Sequence, residues 1–479
     1  MDKKVTSNFF YNMAYQILCI LTPLVTTPYV ARVLGSEGVG IYSYTSTMAL
    51  TFALFAALGA NTYGQREIAM RQNDVYGRSK VFWEVAILRC ITTLVATVAY
   101  LVLCFTYSDY QIYLLQSIFI VLAIMVDMCW MYMGMEDFRI TVTNNIMVKL
   151  ATIVCIFLFV REQDDVGIYI LINSISSIAS SVYFVLHLPK YIMPVPLKEL
   201  KIWRHMPGVI QFFIPIISVQ IYSQVDKLML GAMITDISEN GYYEQARKLT
   251  NLVVVITTAL NTVLLPRLSN LFAGEKKSEM IKTYRETFHM TLMLLIPIAV
   301  GLFVISDNFV IWFLGHGFAK TALLLKWSCP LIILMTIGNF VGLQYLSPTG
   351  RQNTMTKVYI FAAVVNVVLN SLLIPRLMSE GAMIASVAAE ACSCFLQIHL
   401  LKRSEYNFKM LDGAWKYVVA AGCMAIAILC VNGLTGISGV LETVVDIAVG
   451  AMVYFVALVF LREENLVMVI KKVASKVNK

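Results

Sequence analysis

Long apolar segments recur along this chain, and they constrain its fold more than any other feature. We count fourteen stretches of 18 or more mostly apolar residues in the 479-residue sequence. Each is long enough to cross a bilayer as a helix, at about 1.5 Å rise per residue. Only 14% of the residues are charged, against about 25% in soluble chains. The sequence therefore predicts an all-α integral membrane protein without a soluble domain. The stretches begin near Phe9, Gly38, Phe82, Gln111, Thr143, Gly167, Val209, Gly241, Phe288, Thr321, Met355, Gly381, Ala414 and Gly439.

Lys and Arg residues lie mostly in alternate connections between these spans. When the amino terminus is placed in the cytoplasm, Arg66, Arg71 and Lys277 fall on the inside, and few basic residues fall outside. Cytoplasmic connections of membrane proteins carry such an excess. We therefore expect both termini in the cytoplasm. Membrane orientation and attraction to anionic lipid explain the net charge of +8, so we expect no nucleic-acid partner.

A weak internal repeat relates the two halves of the chain. Gly40-Ile41-Tyr42 opens the second span as Gly241-Tyr242-Tyr243 opens the eighth. Six spans separate the copies, so both halves have the same orientation. We expect two pseudo-symmetric six-helix lobes around a central cavity, followed by two C-terminal helices. The predicted domains are an N-terminal lobe at 1–190, a C-terminal lobe at 205–403, additional spans at 410–465 and a basic cytoplasmic tail at 466–479.

Charged residues inside apolar spans are candidate functional residues, because each costs at least about 2.5 kcal/mol at mid-membrane. Asp226 and Lys227 are adjacent in the seventh span, where they form a structural ion pair or line a substrate path. The cationic excess among the charges suits a phosphate-bearing ligand. We expect Arg89 to face the cavity, and we expect Lys149 to reach the interface. The charges that we take as candidates are Arg89, Asp127, Lys149, Asp226, Lys227, Arg247, Lys248 and Glu390.

Neutral amides in the tenth and eleventh spans have two interpretations. They could pair with sugar hydroxyls, or they could bond neighbouring helices. The chain has no catalytic constellation, no glycine-rich phosphate loop and no cysteine pair spaced for a shared metal ion. We therefore expect neither enzymatic activity nor a cofactor. The amides are Asn339, Gln344, Asn366 and Asn370.

Several motifs, in their order and spacing, resemble those of the polysaccharide-unit flippases of the multidrug/oligosaccharidyl-lipid/polysaccharide exporter superfamily. The similarity covers the whole chain, although Met131-Tyr132-Met133 stands where relatives often carry aromatic and Gln residues. The motifs are Pro28-Tyr29-Val30-Ala31-Arg32-Val33-Leu34-Gly35 with Gly38-Val39-Gly40-Ile41-Tyr42; Asp127-Met128-Cys129-Trp130 with Gly134 and Glu136; Val225-Asp226-Lys227-Leu228-Met229-Leu230-Gly231; Leu265-Pro266-Arg267; and Leu346-Ser347-Pro348-Thr349-Gly350-Arg351 with Asn366, Asn370 and Pro375.

The resemblance implies fourteen helices in two lobes and a function in the bacterial cytoplasmic membrane. A flippase of this family carries an undecaprenyl-diphosphate-linked oligosaccharide to the outer leaflet by alternating access. Its cationic cavity would correspond to Arg32, Arg89, Lys227 and Arg247, with coupling or gating at Asp127 and Asp226. The energy for movement would come from an ion gradient, of Na⁺ or H⁺, or from the substrate's own supply and removal. We expect a monomer that contacts membrane lipids and works with polysaccharide polymerase and assembly proteins.

Two other classes of function stay open. A cation-coupled multidrug exporter of the same superfamily would share the two-lobe design. Such exporters typically need a carboxylate in a largely apolar pocket, whereas basic residues predominate inside these spans. A noncatalytic membrane scaffold for polymer assembly would have no cavity.

Overall fold

The computed structural model describes residues 3–106, 109–274, 277–402 and 410–463, so the predicted basic tail at 466–479 lies outside the described residues. The chain divides into two compact units, Met1–Gly241 and Tyr242–Lys479. The described residues form helices joined by short connections, and no strand occurs among them. The all-α prediction is confirmed.

Unit 1 is built from helices that pack around its long first helix. The helices are α1 (Lys3–Ala57), α2 (Ala60–Ala69), α3 (Val75–Thr106), α4 (Gln111–Val126), α5 (Cys129–Gly134), α6 (Phe138–Phe159), α7 (Val166–His187) and α8 (Met206–Met233). Helix α1 contacts five later helices of its unit: α3, α4, α6, α7 and α8. Short 3₁₀ turns at Leu188–Lys190, Leu197–Glu199 and Ile202–His205 connect α7 to α8.

Unit 2 begins within the next helix and ends with the two helices expected at the C-terminus. The helices are α9 (Ser238–Ala273), α10 (Lys277–Leu314), α11 (Ala319–Val341), α12 (Gln352–Lys402), α13 (Trp415–Thr435) and α14 (Val440–Phe460). A π-helical turn at Gly342–Leu346 follows α11. Helix α10 is central, because it packs against α11, α13 and α14.

Single residues replace two of the connections that we expected between spans. Gly35 has φ 68° inside α1, and Met378 has φ 53° inside α12. These positions fall between the predicted first and second spans and between the predicted eleventh and twelfth spans. A Cβ added at Gly381 would lie 2.5 Å from the carbonyl oxygen of Leu373. The chain therefore reverses so tightly after Leu373 that residue 381 must be glycine.

Apolar side chains cover the outer surfaces of the helices. On α3, Leu94, Val95, Val98, Val102 and Phe105 are each more than half exposed. Soluble monomers rarely expose contiguous apolar surface of this kind, whereas a bilayer offers it a matching solvent. Among the described residues, 11 helices are long and apolar enough to cross a membrane. The count of fourteen spans and the lobe boundaries remain predictions.

Candidate functional site

A break between α4 and α5 positions the first pair of candidate residues. Helix α4 ends at Val126, and Asp127 leaves the helical conformation with ψ 109°. The Asp127 carboxylate accepts a hydrogen bond from the Cys129 backbone N–H at 3.0 Å, which caps the first turn of α5. The guanidinium of Arg89, from α3, donates to the Asp127 carbonyl oxygen at 2.7 Å and lies 3.4 Å from its carboxylate. The break deprives this carbonyl oxygen of its helical N–H donor, and the Arg89 guanidinium takes the place of that donor.

Aromatic packing surrounds the short helix that follows this break. Trp130 is 1% exposed and stacks on Phe82 with ring centroids 5.5 Å apart. A Cβ at Gly64 of α2 would lie 2.5 Å from the Trp130 ring, so only glycine lets α2 approach it this closely. The Tyr132 hydroxyl donates to the Phe184 carbonyl oxygen at 2.5 Å. Trp130 therefore packs in the core of unit 1.

Arg89 has an acidic partner that the sequence analysis did not identify. We expect Arg89 to face the cavity, which stays a prediction, and in the structure Asp127 is its acidic partner. Arg89 is 1% exposed and Asp127 is 21% exposed. In this conformation the carboxylate, and not the guanidinium, reaches the surface of the unit. The pair was hidden from sequence reasoning because its members lie 38 residues apart.

The adjacent pair in the seventh span lies on α8, where α8 packs against α1. Asp226 is 1% exposed, and Lys227 is half-buried. The Lys227 carbonyl oxygen accepts a hydrogen bond from the Asn240 side chain at 2.9 Å. A Cβ at Gly231 would lie 2.2 Å from the ring of Tyr44 on α1. The glycine therefore lets α8 approach α1 closely one turn beyond Lys227. Asp226 lies within the protein, whereas Lys227 keeps part of its side chain accessible.

The remaining candidate cations differ in exposure. Arg32, on α1, is exposed. Arg247, on α9 in unit 2, is 9% exposed. Of the four cations implied by the resemblance, Arg32 and Lys227 thus present more of their side chains than Arg89 and Arg247 do. The joint cavity that would unite them stays a prediction.

The four candidate amides all lie in unit 2, and three of them are fully buried. Asn366 and Asn370 are each 0% exposed, and the Asn370 side chain donates to Asn366 Oδ1 at 3.1 Å. Gln344, in the π-helical turn, is also 0% exposed, whereas Asn339 is half-buried. In this conformation Asn366 and Asn370 bond each other along one helix. Their contact with a sugar remains a prediction.

Sequence comparison identifies the family. The profile of the family described as "Polysaccharide biosynthesis protein" matches residues 5–272, more than half of the chain. The chain belongs to this family.

Individual relatives agree with that assignment. A "Putative O-antigen transporter" of Escherichia coli (strain K12) is 22% identical over 406 residues, which cover 83% of this chain and 97% of the relative. A "Probable low-salt glycan biosynthesis flippase Agl15" of Haloferax volcanii is 24% identical over 234 residues, about half of each chain. The family and these relatives confirm a membrane transport protein of polysaccharide biosynthesis, not an enzyme.

A solved structure shows the same fold. It is a "Lipid II flippase MurJ, inward closed conformation", with a TM-score of 0.67 and 16% identity, and the match covers 96% of this chain and 99% of that one. This likeness extends beyond the matched family region into α10 to α14. The polysaccharide biosynthesis family member and that flippase therefore share one helical architecture over almost their whole lengths.

This family member also has a polar cluster that the sequence reasoning missed. Glu84, on α3, is 0% exposed. Its carboxylate accepts hydrogen bonds from the Lys201 N–H at 2.6 Å and from the Arg204 guanidinium at 2.5 Å, and it lies 2.7 Å from His205 Nε2. The other His205 nitrogen lies 2.7 Å from the Tyr63 hydroxyl. The cluster fastens the connection before α8 to α2 and α3.

Charge and burial define the chemistry of that cluster. Burial raises the pKa of the Tyr63 hydroxyl, and the nearby Glu67 carboxylate adds to the rise. The hydroxyl therefore stays protonated and serves as a neutral hydrogen-bond partner for His205. The rule that located the other span charges also applies to Glu84, because it stands in the third apolar span. It applies equally to Asp446 in α14, which the sequence reasoning also passed over.

Proposed function

We propose that this protein is a flippase that moves an undecaprenyl-diphosphate-linked oligosaccharide from the cytoplasmic to the outer leaflet of the bacterial membrane by alternating access. The observation that carries the proposal is the family membership together with relatives named as O-antigen transporter and glycan flippase. The shared fold with a lipid II flippase supports it, because lipid II is itself a lipid-linked saccharide.

A diphosphate cannot cross the apolar core of a bilayer without compensation. Its oxygens need hydrogen-bond donors and positive charge, which Arg provides through a planar fork and Lys through an ammonium group. Arg32 and Lys227 suit this role in unit 1, since both side chains are accessible. Arg247 suits it in unit 2. We assign these three cations to the diphosphate.

Arg89 has a conditional place in this proposal. Its guanidinium is satisfied in part by Asp127, so it reaches a diphosphate only in a conformation that opens the pair. Asp127 is thereby a gating residue, because its carboxylate competes with the substrate anion for the same guanidinium. Asp226 is the second gating residue, and its neighbour Lys227 changes partner when the diphosphate arrives.

The amides complete the proposed path. Asn339 is the half-buried member and is assigned to sugar hydroxyls. Gln344, Asn366 and Asn370 reach the sugar only after their helices separate. A cation gradient, of Na⁺ or H⁺, would drive the cycle, and polymerase and assembly proteins would consume the exported unit.

Surface polysaccharide in a strain that lacks its own flippase tests the proposal. Lys227→Ala should abolish polymer export, whereas Lys227→Arg should retain part of it, because the charge persists. Lys282→Ala is the matched control, since its side chain is 77% exposed on α10. Immunoblotting of membranes must show equal abundance of all three variants. Normal polymer from Lys227→Ala would remove Lys227 from the substrate path. The flippase assignment would be rejected if the wild-type protein restored no polymer in any strain tested, whichever lipid-linked oligosaccharide that strain makes.

A further inference from the structure

A pocket in unit 2 lies between α10 and the two C-terminal helices, α13 and α14. Its volume is about 370 Å³, within the range of small-molecule sites. It shares no residue with the proposed substrate path. Apolar side chains from all three helices line it, among them Pro297, Leu302, Met424, Ile428 and Phe455.

One carboxylate belongs to the wall of this pocket. Asp446, on α14, is 0% exposed. Its Oδ2 accepts one hydrogen bond, from the Asn432 side chain at 3.3 Å. Its Oδ1 is buried and has no hydrogen-bond partner among the described residues. A buried ionised carboxylate with a single weak donor is costly, because its desolvation is offset only by a positive charge and further hydrogen bonds.

The described neighbours of Asp446 do not supply that positive charge. No Lys, Arg or His is among the residues that line the pocket. The acid Glu442 lies one turn earlier on α14. The polar side chains of α10 near this end of α14 have other partners: Asn308 bonds the Gly439 carbonyl oxygen at 2.8 Å, and Trp312 bonds the Thr443 hydroxyl at 2.8 Å. A proton on the carboxyl or a bound cation must therefore balance the site, because none of the residues that line the pocket carries a positive charge.

We propose that this pocket binds a compact lipophilic ammonium compound, with the ammonium N–H donating to Asp446 Oδ1 and the apolar body lying among the side chains of α10, α13 and α14. The ammonium provides both the missing charge and the missing donor. The apolar walls provide the favourable burial of the rest of the molecule, at about 25 cal/mol per Å².

Depth within the helix selects this ligand over a phospholipid with an amine headgroup. Asp446 follows Val440, the first residue of α14, by six positions, so the carboxylate lies about 9 Å along the helix from its end. A phospholipid amine stays with the headgroups at the membrane surface, whereas a compact amine can bring its charge deeper. Leu294, Ile447 and Phe455 line the pocket and are more than a third exposed, so the pocket opens sideways to the apolar phase where such compounds concentrate.

The test uses the full-length protein in detergent micelles and the fluorescent probe dansylcadaverine, a primary amine on an apolar dansyl body. Saturable fluorescence enhancement should occur with the wild-type protein. The N-acetylated probe, which has the same body but no charge, should bind at least tenfold more weakly. Asp446→Asn should weaken binding of the amine at least tenfold and leave binding of the acetylated probe unchanged.

A second variant tests the space independently of the charge. A Cβ at Gly301 would make an ordinary contact at 3.7 Å with Met424, so Gly301→Leu extends into the pocket without disturbing the backbone. It should weaken binding of the amine at least tenfold. Gly422→Leu, on an exposed face of α13 with no atom within 4 Å of the added Cβ, should bind like the wild type.

Three results would overturn the proposal. They are the absence of saturable binding to the wild type, equal binding of the amine and its acetylated form, and unchanged binding to Gly301→Leu. The flippase proposal does not depend on this site, and export by Asp446→Asn separates the two: loss of amine binding with retained export supports both proposals.

Discussion

Removing the charge of Asp127 should destabilise unit 1 more than removing the charge of Arg89. The two residues make one ion pair, but Arg89 is 1% exposed and Asp127 is 21% exposed. Asp127→Asn leaves a buried guanidinium without its counter-charge, which should cost about 3–5 kcal/mol. Arg89→Met keeps most of the side-chain volume and leaves a partly exposed carboxylate, which still accepts the Cys129 N–H. Its main loss is the donor to the Asp127 carbonyl oxygen, about 1–3 kcal/mol.

Unfolding of the purified protein by SDS in mixed micelles measures both changes, with tryptophan fluorescence as the signal, because buried Trp130 lies beside the break. The double variant should lose less stability than the sum of the single variants, with a coupling energy of about 0.5–3 kcal/mol. The surface pair Lys282 and Glu286 is the control. Its atoms lie 4.0 Å apart and its side chains are 77% and 41% exposed, so Lys282→Met should change stability by only about 0–1 kcal/mol, because exposed pairs contribute little.

The reasoning fails if Asp127→Asn costs no more than Lys282→Met, or if the two single losses simply add. Either result would mean that the guanidinium is compensated by something other than Asp127. Export assays on the same variants then separate a structural role from gating. A stable Asp127→Asn protein with altered export would favour gating alone.

Two further predictions concern packing and the connection before α8. Gly64→Ala should lower the free energy of unfolding by about 1–3 kcal/mol, because the added Cβ meets the Trp130 ring. Thermal unfolding should show no such loss for Gly422→Ala, and equal stability of the two variants would refute the tight α2–α5 contact. Glu84→Gln should speed trypsin cleavage after Lys198, Lys201 and Arg204, because the carboxylate holds that connection through the contacts of Lys201, Arg204 and His205. Glu199→Gln, whose partner Tyr76 is exposed, should be cleaved at the wild-type rate, and unchanged cleavage of Glu84→Gln would show that the cluster does not hold the connection.

The membrane-spanning helices were predictable because their signal is local. A run of apolar residues has no satisfactory backbone arrangement in lipid except a helix, so its position follows from composition alone. Gly35 marks the first reversal because glycine tolerates its positive φ. The second reversal falls at Met378, a residue that gives no such signal. The reversal brings residues 373 and 381 close together, and Gly381 is the small residue that this approach requires.

The environments of the candidate residues were less predictable, because they depend on distant parts of the chain. The sequence located Arg89 inside a span but not its partner, since Asp127 stands on another helix. Asn366 and Asn370 are one turn apart on one helix, so their mutual hydrogen bond could have been anticipated from the i, i+4 spacing. The packing of α8 onto α1 could not, because the signal of Gly231 is only the absence of a side chain.

Burial of charge in this protein leads to different roles, and the nature of the partner decides among them. Glu84 has three donors from one connection, so its charge is used to hold the chain in place. Arg89 has one carbonyl and one carboxylate at a helix break, so its charge is satisfied in a way that a competing anion can replace. Asp446 has a single amide donor and a pocket beside it, so a ligand that enters the pocket can balance its charge. An intramembrane charge therefore indicates a function more strongly when the groups that balance it can be displaced by a ligand.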